Sequence, residues 1–393
     1  MAHIAFFNFP AIGHVNPTLG LLEELVRRGH RVTSTATDHF VPAVEAAGAE
    51  AVRYQSVFGD FYRSPFTAEA IEGEGLRCLE EATSLVDQID AFYRDEKPDL
   101  IIHDFMAWGA RFYASRHNIP TIRLYPTYGV HEKFSIQERF PLAGFTDAKV
   151  VEMLGKLTEV LPSFGLPADP MAFFQDVAQH NIVFLPRDFH YEGDSFDERF
   201  VFAGPCLADR SAYQGTWQPA SPDRPVLLIS LGTAATGWPE FFKTAIDAFG
   251  DSEWDVVMAV GDHIDSAELG TVPANFSVNR HVPQLDVLQH AALFVTHGGM
   301  NSTMESLYYG VPMVVIPQMN EQKANGMRVE ELGLGRHLAP ADTTVDSLRR
   351  TVADLAGSQE VAANVGRMRD SIRGVDGPRV AAGAVDAYLQ SLS

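Results

Sequence analysis

The sequence predicts an α/β protein made of two doubly wound domains in tandem. Strand, loop and helix patterns alternate along the chain, which calls for parallel sheets covered by helices on both faces. The alternation comes in two runs, separated by a stretch over 204–225 that is rich in Pro, Gly, Ser and Asp and has no periodicity. A length of 393 residues also exceeds what one hydrophobic core ordinarily supports.

In the first run, strands read at 3–9, 31–36, 50–54 and 99–103, with later ones near 120–124 and 181–185. Between the first two lies an amphipathic helix from Pro17 to about Arg28, with Asn16 as the expected N-cap, Pro17 at the first helical position and Gly29 closing it. The second run reads as strands Val226–Leu231, Asp255–Val260, Phe276–Asn279, Leu293–His297 and Met313–Pro317, and the tail from about Pro378 is helical. The expected division is therefore a domain over 1–205, a linker over 206–225, a domain over 226–377 and a terminal helix over 378–393.

Composition narrows the function classes. With 46% hydrophobic and 21% charged residues the chain has enough apolar surface to fold, which argues against disorder. The formal charge of −21 repels nucleic acid and anionic membrane surfaces, so neither is an expected partner. Any anionic ligand then needs a local site of backbone N–H groups and a few cations. The two cysteines, Cys78 and Cys206, lie far apart with no CxxC spacing, which fits a reducing compartment. The opening residues read as a strand rather than a signal peptide, and no apolar stretch approaches the ~20 residues needed to cross a bilayer. The expected location is the cytoplasm.

Open α/β sheets bind ligands beyond the carboxyl ends of their strands, where strand order reverses. With the order 3-2-1-4, the segment after strand 1, Phe9-Pro10-Ala11-Ile12-Gly13-His14-Val15-Asn16-Pro17, faces the end of strand 4, Ile101-Ile102-His103-Asp104. A carboxylate beside an imidazole orients it and fixes its tautomer, the makings of a general base. The residues alone leave a second reading open, in which His14 only fills a glycine-containing loop and Asp104 caps the next helix.

In the second run, the strand ending at Thr296 passes into His297-Gly298-Gly299-Met300-Asn301-Ser302-Thr303-Met304-Glu305 and a helix. Glycines at such a turn let the backbone approach a ligand, and a helix N-terminus offers unpaired N–H groups at the positive end of its dipole. His297, Gly299, Asn301 and Ser302, with Gly232 and Thr233 from the loop after the domain's first strand, make an anion site suited to a pyrophosphate without a metal. Glu305, one turn on, can accept hydrogen bonds from a ribose diol. Glu321 and Gln322, after the strand ending near Pro317, suit bidentate recognition of a polyol. The competing reading is a glycine-rich turn required only by packing.

Other signatures are missing. There is no GxGxxG after a strand, no Asp-x-Asp pair, no HExxH and no Walker sequence. Ile12, Phe58, Phe61, Tyr62, Phe66, Met106, Tyr128 and Phe134 are candidates for an apolar acceptor pocket. Aromatics such as these, with Phe164, Phe173 and Phe174, also fill ordinary cores.

With these residues on the page, the chain resembles the UDP-glycosyltransferases of the two-Rossmann-domain (GT-B) type, particularly bacterial enzymes that glucosylate macrolides and flavonoids. The block from His281-Val282-Pro283-Gln284 through Gln322 is similar to that family's donor-binding signature, and the resemblance covers nearly the whole chain. It implies two Rossmann-like domains facing across a cleft, with His14 as base and Asp104 as its partner. His297, Asn301 and Ser302 would hold the diphosphate, Glu305 the ribose, His281, Val282 and Gln284 the nucleobase, and Glu321 and Gln322 the transferred sugar. The implied reaction inverts the anomeric centre, moves a hexose from UDP onto a small apolar acceptor, and uses neither metal nor cofactor; the expected assembly is a monomer or weak dimer. One position departs from the pattern: plant relatives carry Trp where this chain has His281, which leaves thymidine diphosphate (dTDP) sugars open as donors. A sugar-nucleotide epimerase and a non-catalytic binding protein are the rival readings.

Overall fold

The computed structural model describes residues 1–59, 73–141, 147–221, 223–232 and 238–392. The described residues form two compact units. One takes the chain up to Asp209 together with the segment from Val375 onward, and the other takes Arg210–Gly374. The division thus falls within the 206–225 stretch, part of which, Ser211–Gln214, is a helical turn.

The first unit is built on seven strands: β1 His3–Phe7, β2 Arg31–Ala36, β3 Glu50–Arg53, β4 Leu100–Asp104, β5 Thr121–Tyr125, β6 Asn181–Val183 and β7 Phe200–Phe202. They lie in the order β3-β2-β1-β4-β5-β6-β7, every pairing parallel. Ile4, Ala5, Phe6 and Phe7 of β1 and Leu100, Ile101 and Ile102 of β4 are fully buried. That is why these strands read as apolar runs: a parallel sheet covered on both faces has no solvent side. The second unit repeats the plan with β8 Val226–Ser230, β9 Asp255–Ala259, β10 Phe276–Asn279, β11 Ala291–Thr296, β12 Met313–Val315 and β13 Gly335–His337, in the order β10-β9-β8-β11-β12-β13. The edge strands β7 and β13 have three residues each and are not evident in the sequence.

One local expectation is corrected. Asn16 is not an N-cap, since its backbone is helical (φ −55°, ψ −41°). The helical path begins earlier, at Ile12–Val15, with Ala11 in the extended capping position. It tightens into a 3-10 turn over Asn16–Thr18, where Pro17 brings no N–H, and continues as Leu19–Arg27. Gly29, at φ +88°, ends it as expected.

The helix Gly377–Ser391 packs back on Leu19–Arg27 within the first unit. Asp386 accepts from Arg28 at 2.7 Å and pairs with His30 Nε2 at 2.9 Å. Gly20 lets the chain approach so closely that a Cβ there would lie 2.6 Å from the Cys206 carbonyl oxygen and 2.8 Å from that of Leu207. Backbone cannot step aside as a side chain can. Gly20→Ala is therefore expected to destabilise by about 1–3 kcal/mol, while Gly155→Ala, at an exposed helical site with nothing within 4 Å, should stabilise by about 0.5–1 kcal/mol. Denaturant titration of the two variants checks the contrast.

Candidate active site

In the first unit, parallel pairing of β1 with β4 sets Phe7 beside His103, so the chain leaves β1 next to the end of β4. His14, on the helical turn after β1, donates from Nδ1 to Asp104 Oδ2 at 2.7 Å. Asp104 is wholly buried, and its other oxygen accepts the Met106 N–H at 2.8 Å. It caps no helix: the next one, Trp108–His117, has Ala107 at its N-cap. A carboxylate fixed at both oxygens holds the imidazole with Nδ1 toward it, which fixes the orientation of the ring. The His14 side chain keeps 19% of its surface exposed, enough for a ligand to reach it.

Apolar side chains crowd around this pair. Phe9 meets the His14 ring edge-on at 5.1 Å between centroids, and Phe105 lies at 5.9 Å. Phe9, Phe58 and Cys78 form a small buried cluster, with Ala11, Val57, Met106 and Trp108 packed against it. Of the acceptor-pocket candidates, Phe58 and Met106 thus gather beside His14, and Ile12 lies in the same turn. Phe61, Tyr62 and Phe66 fall outside the described residues. Tyr128 and Phe134 belong to a different aromatic group, with Phe189, His190, Tyr191 and Phe196, and are almost wholly buried there. The chain fixes that group through the Gly129 N–H, which donates to His190 Nε2 at 2.8 Å, and the two residues read as core. Phe9, Phe105 and Trp108 went unremarked in the sequence, although they flank the two motifs that frame the site. Glu74 is a further unremarked neighbour: burial raises its carboxyl above the usual range, against the pull of Arg77 and His14.

In the second unit, β8 and β11 are the adjacent pair, with Ser230 beside Thr296. Gly298, at φ +78°, turns the chain, and its carbonyl accepts from Asn325 Nδ2 at 2.7 Å. The His297 imidazole lies against two glycines. A Cβ on Gly232 would fall 2.5 Å from the ring, and one on Gly299 would also collide with it. Packing does require these glycines, then, but what they pack is the ring presented at the turn. The helix Met300–Tyr309 starts with no side-chain cap. Thr233 lies outside the described residues. Burial lowers His297 to a pKa of about 4, so the ring is neutral near pH 7 and offers an N–H rather than a charge.

Around Glu305 the polar groups are tightly linked. Arg210 donates to Oε1 at 2.6 Å, Gln284 Nε2 to Oε2 at 2.6 Å, and the same Gln284 amide reaches Ser302 Oγ at 3.2 Å. The sequence-predicted residues Gln284, Ser302 and Glu305 are thus brought together, with Arg210 as an unforeseen member. His281, more than half exposed, pairs through Nε2 with Asp262 at 3.1 Å. Glu321 and Gln322 open the helix Asn320–Glu331, and Gln322 Oε1 accepts the Gln318 N–H at 2.8 Å, which fixes its amide.

Comparison with known proteins identifies the family and the fold. Residues 243–385 match the family model of the erythromycin biosynthesis protein CIII-like C-terminal domain. The chain is 43% identical to the NDP-glycosyltransferase YjiC of Bacillus licheniformis, the alignment covering 98% of each. The chain belongs to the UDP-glycosyltransferase superfamily. It is also 35% identical to the demethyllactenocin mycarosyltransferase of Streptomyces fradiae, over 99% of this chain and 87% of that one. Among solved structures, the calicheamicin glycosyltransferase CalG4 superposes with a TM-score of 0.87 at 36% identity, covering 99% of this chain and 98% of that one. The protein is a GT-B glycosyltransferase, and its two Rossmann-like units are those of that fold. Among the described residues no helix is long and apolar enough to cross a membrane.

Because His297 is neutral near pH 7, the most its ring can give a bound nucleotide is one hydrogen bond. If the ring meets the nucleotide, His297→Asn, which keeps an N–H donor, should hold nucleoside diphosphate affinity within a few-fold at pH 7.5. His297→Ala should lose roughly ten- to a hundredfold, the worth of a bond to a charged acceptor. Isothermal titration calorimetry distinguishes the two.

Proposed function

We propose that the protein transfers glucose or a related hexose from a UDP-sugar to a hydroxyl of a small apolar natural product, with inversion at the anomeric carbon. What carries this reading is the 2.7 Å His14–Asp104 pair set among aromatic side chains in the first unit. Two of the similar proteins are, by name, a mycarosyltransferase and a calicheamicin glycosyltransferase, which supports a natural-product acceptor.

In this mechanism His14 Nε2 takes the proton of the acceptor hydroxyl. The oxygen's electron pair forms the new bond to the anomeric carbon from one face. The bond from that carbon to the diphosphate oxygen breaks on the other, and UDP leaves with its electron pair. Asp104 stabilises the imidazolium so formed. An α-linked donor yields a β-glycoside. The charge growing on the diphosphate meets the amides at the start of Met300–Tyr309 and the His297 N–H, already oriented. In this reading Gly232, Gly299, Asn301 and Ser302 line the diphosphate, Glu305 takes the ribose diol, and Val282 and Gln284 frame the base. Glu321 and Gln322 hold the sugar hydroxyls, which favours an intact hexose. Since the proposed leaving-group stabilisers are N–H groups, a chelator is expected to leave the rate unchanged.

A dTDP-deoxysugar donor is the second reading. It is favoured by His281, whose ring offers less stacking area than the Trp of plant relatives, and by the mycarosyltransferase relative.

A mass-spectrometric screen of phenols and macrolides against UDP-glucose, UDP-galactose, UDP-N-acetylglucosamine and dTDP-glucose tests the proposal; no glycoside from any pair overturns it, and product from dTDP-glucose alone favours the nucleotide of the second reading. A histidine of reference pKa ~6.5 is a weak base for an aliphatic alcohol, whereas a phenol ionises near ~10, so phenolic acceptors should react fastest. His14→Ala should lower kcat by about 10²–10⁴-fold and leave UDP affinity within a few-fold. Steady-state kinetics paired with calorimetry read both, and a mutant that keeps the wild-type kcat on an alcohol would remove His14 as base.

A further inference from the structure

Arg210 stands at the first position of the second unit, outside every motif that the family resemblance covers. Its carbonyl accepts the N–H groups of Tyr213 and Gln214, which fixes the turn it begins. Seven residues on, the Trp217 N–H donates to Asp286 Oδ2 at 3.0 Å, so the same segment is also tied to the helix Gln284–His290. From this anchored turn the guanidinium reaches Glu305, and both side chains are over nine-tenths buried. A buried ion pair is rarely a net gain in stability, because desolvating two charges offsets their attraction. Its presence here needs another reason.

We infer that Arg210 is a positioning residue for the nucleotide: it fixes the Glu305 carboxylate in the one orientation that receives both hydroxyls of a ribose. The inference rests on the proposed reading of Glu305 as the ribose acceptor. A carboxylate has about four lone-pair sites, two on each oxygen. Arg210 takes one on Oε1 and Gln284 one on Oε2, which leaves one acceptor site on each oxygen. Two free sites on two fixed oxygens match a vicinal diol. Gln284 carries the same order to Ser302 on the adjoining turn. Without the guanidinium the carboxylate is free to rotate away, and a second hydroxyl gains little over one.

The readout is the ratio of affinities for UDP and 2′-deoxy-UDP, measured by calorimetry on the full-length protein. A general loss of fold or site lowers both affinities and leaves their ratio alone; loss of diol positioning lowers the ratio. The wild type is expected to prefer UDP by about tenfold, the worth of one hydrogen bond to a charged acceptor. Arg210→Gln should bring the ratio to about one with 2′-deoxy-UDP affinity little changed, and Arg210→Lys, which keeps the charge but not the planar fork, should give about threefold. Circular dichroism shows which variants fold. If Arg210→Gln does not, the lysine variant decides alone. A wild-type ratio in any folded Arg210 variant overturns the inference, including one in which both affinities fall together. A wild type that shows no preference, with Glu305→Gln equally indifferent, instead overturns the ribose reading on which it rests.

Discussion

In each sheet the chain builds outward on one side of its first strand and then crosses to the other. The helices following β1 and β4, and those following β8 and β11, therefore leave in opposite directions. No crossover helix can cover the gap between such neighbours, and the loops at their carboxyl ends stay open. This single constraint selects the chemistry of both units. His14 follows β1 and Asp104 ends β4; Gly232 follows β8 and His297 follows β11. Residues 90 positions apart come to 2.7 Å because the parallel register of β1 and β4 leaves them no other place.

Polar groups at these switch points are buried to different degrees, and burial sets what each can do. Asp104 sits wholly inside but spends both oxygens on fixed donors, so it orients without itself being presented. His103, its neighbour on the strand, is pushed down to a pKa of about 3 by burial and the charge of Arg123, and packs as a neutral ring. His14, by contrast, retains surface. Three adjacent polar side chains on one strand end and its facing loop thus divide into a buried neutral ring, a buried carboxylate and a partly exposed imidazole.

Much of this was legible in the sequence. The apolar runs of the central strands, the reversal after strand 1 and the glycines at 298 and 299 announce themselves because parallel strands and tight turns tolerate few alternatives. What escaped has physical reasons too. β7 and β13 are short edge strands, with too few residues to carry a periodic pattern. Asn16 resembles a cap, but helical geometry had already begun at Ile12, and an Asn followed by Pro looks the same in either case. Tyr128 and Phe134 could not be told from pocket aromatics, since stacking on neighbours 60 residues away decides their burial. Arg210 was invisible for a similar reason: its partner Glu305 lies 95 residues along, and a lone arginine in a Pro- and Gly-rich stretch carries no local signal.

The charge balance closes the account. A protein of net charge −21 that handles nucleoside diphosphates cannot attract them by its overall field. In the proposed reading the second unit answers with short-range donors: the start of a helix without a side-chain cap and an imidazole that burial keeps neutral. The deeply buried Arg210 is paired with Glu305 and so adds little net charge. Recognition then depends on geometry within hydrogen-bond reach, where the glycines at 232 and 299 matter as much as the donors because they set how close the backbone and the His297 ring can stand.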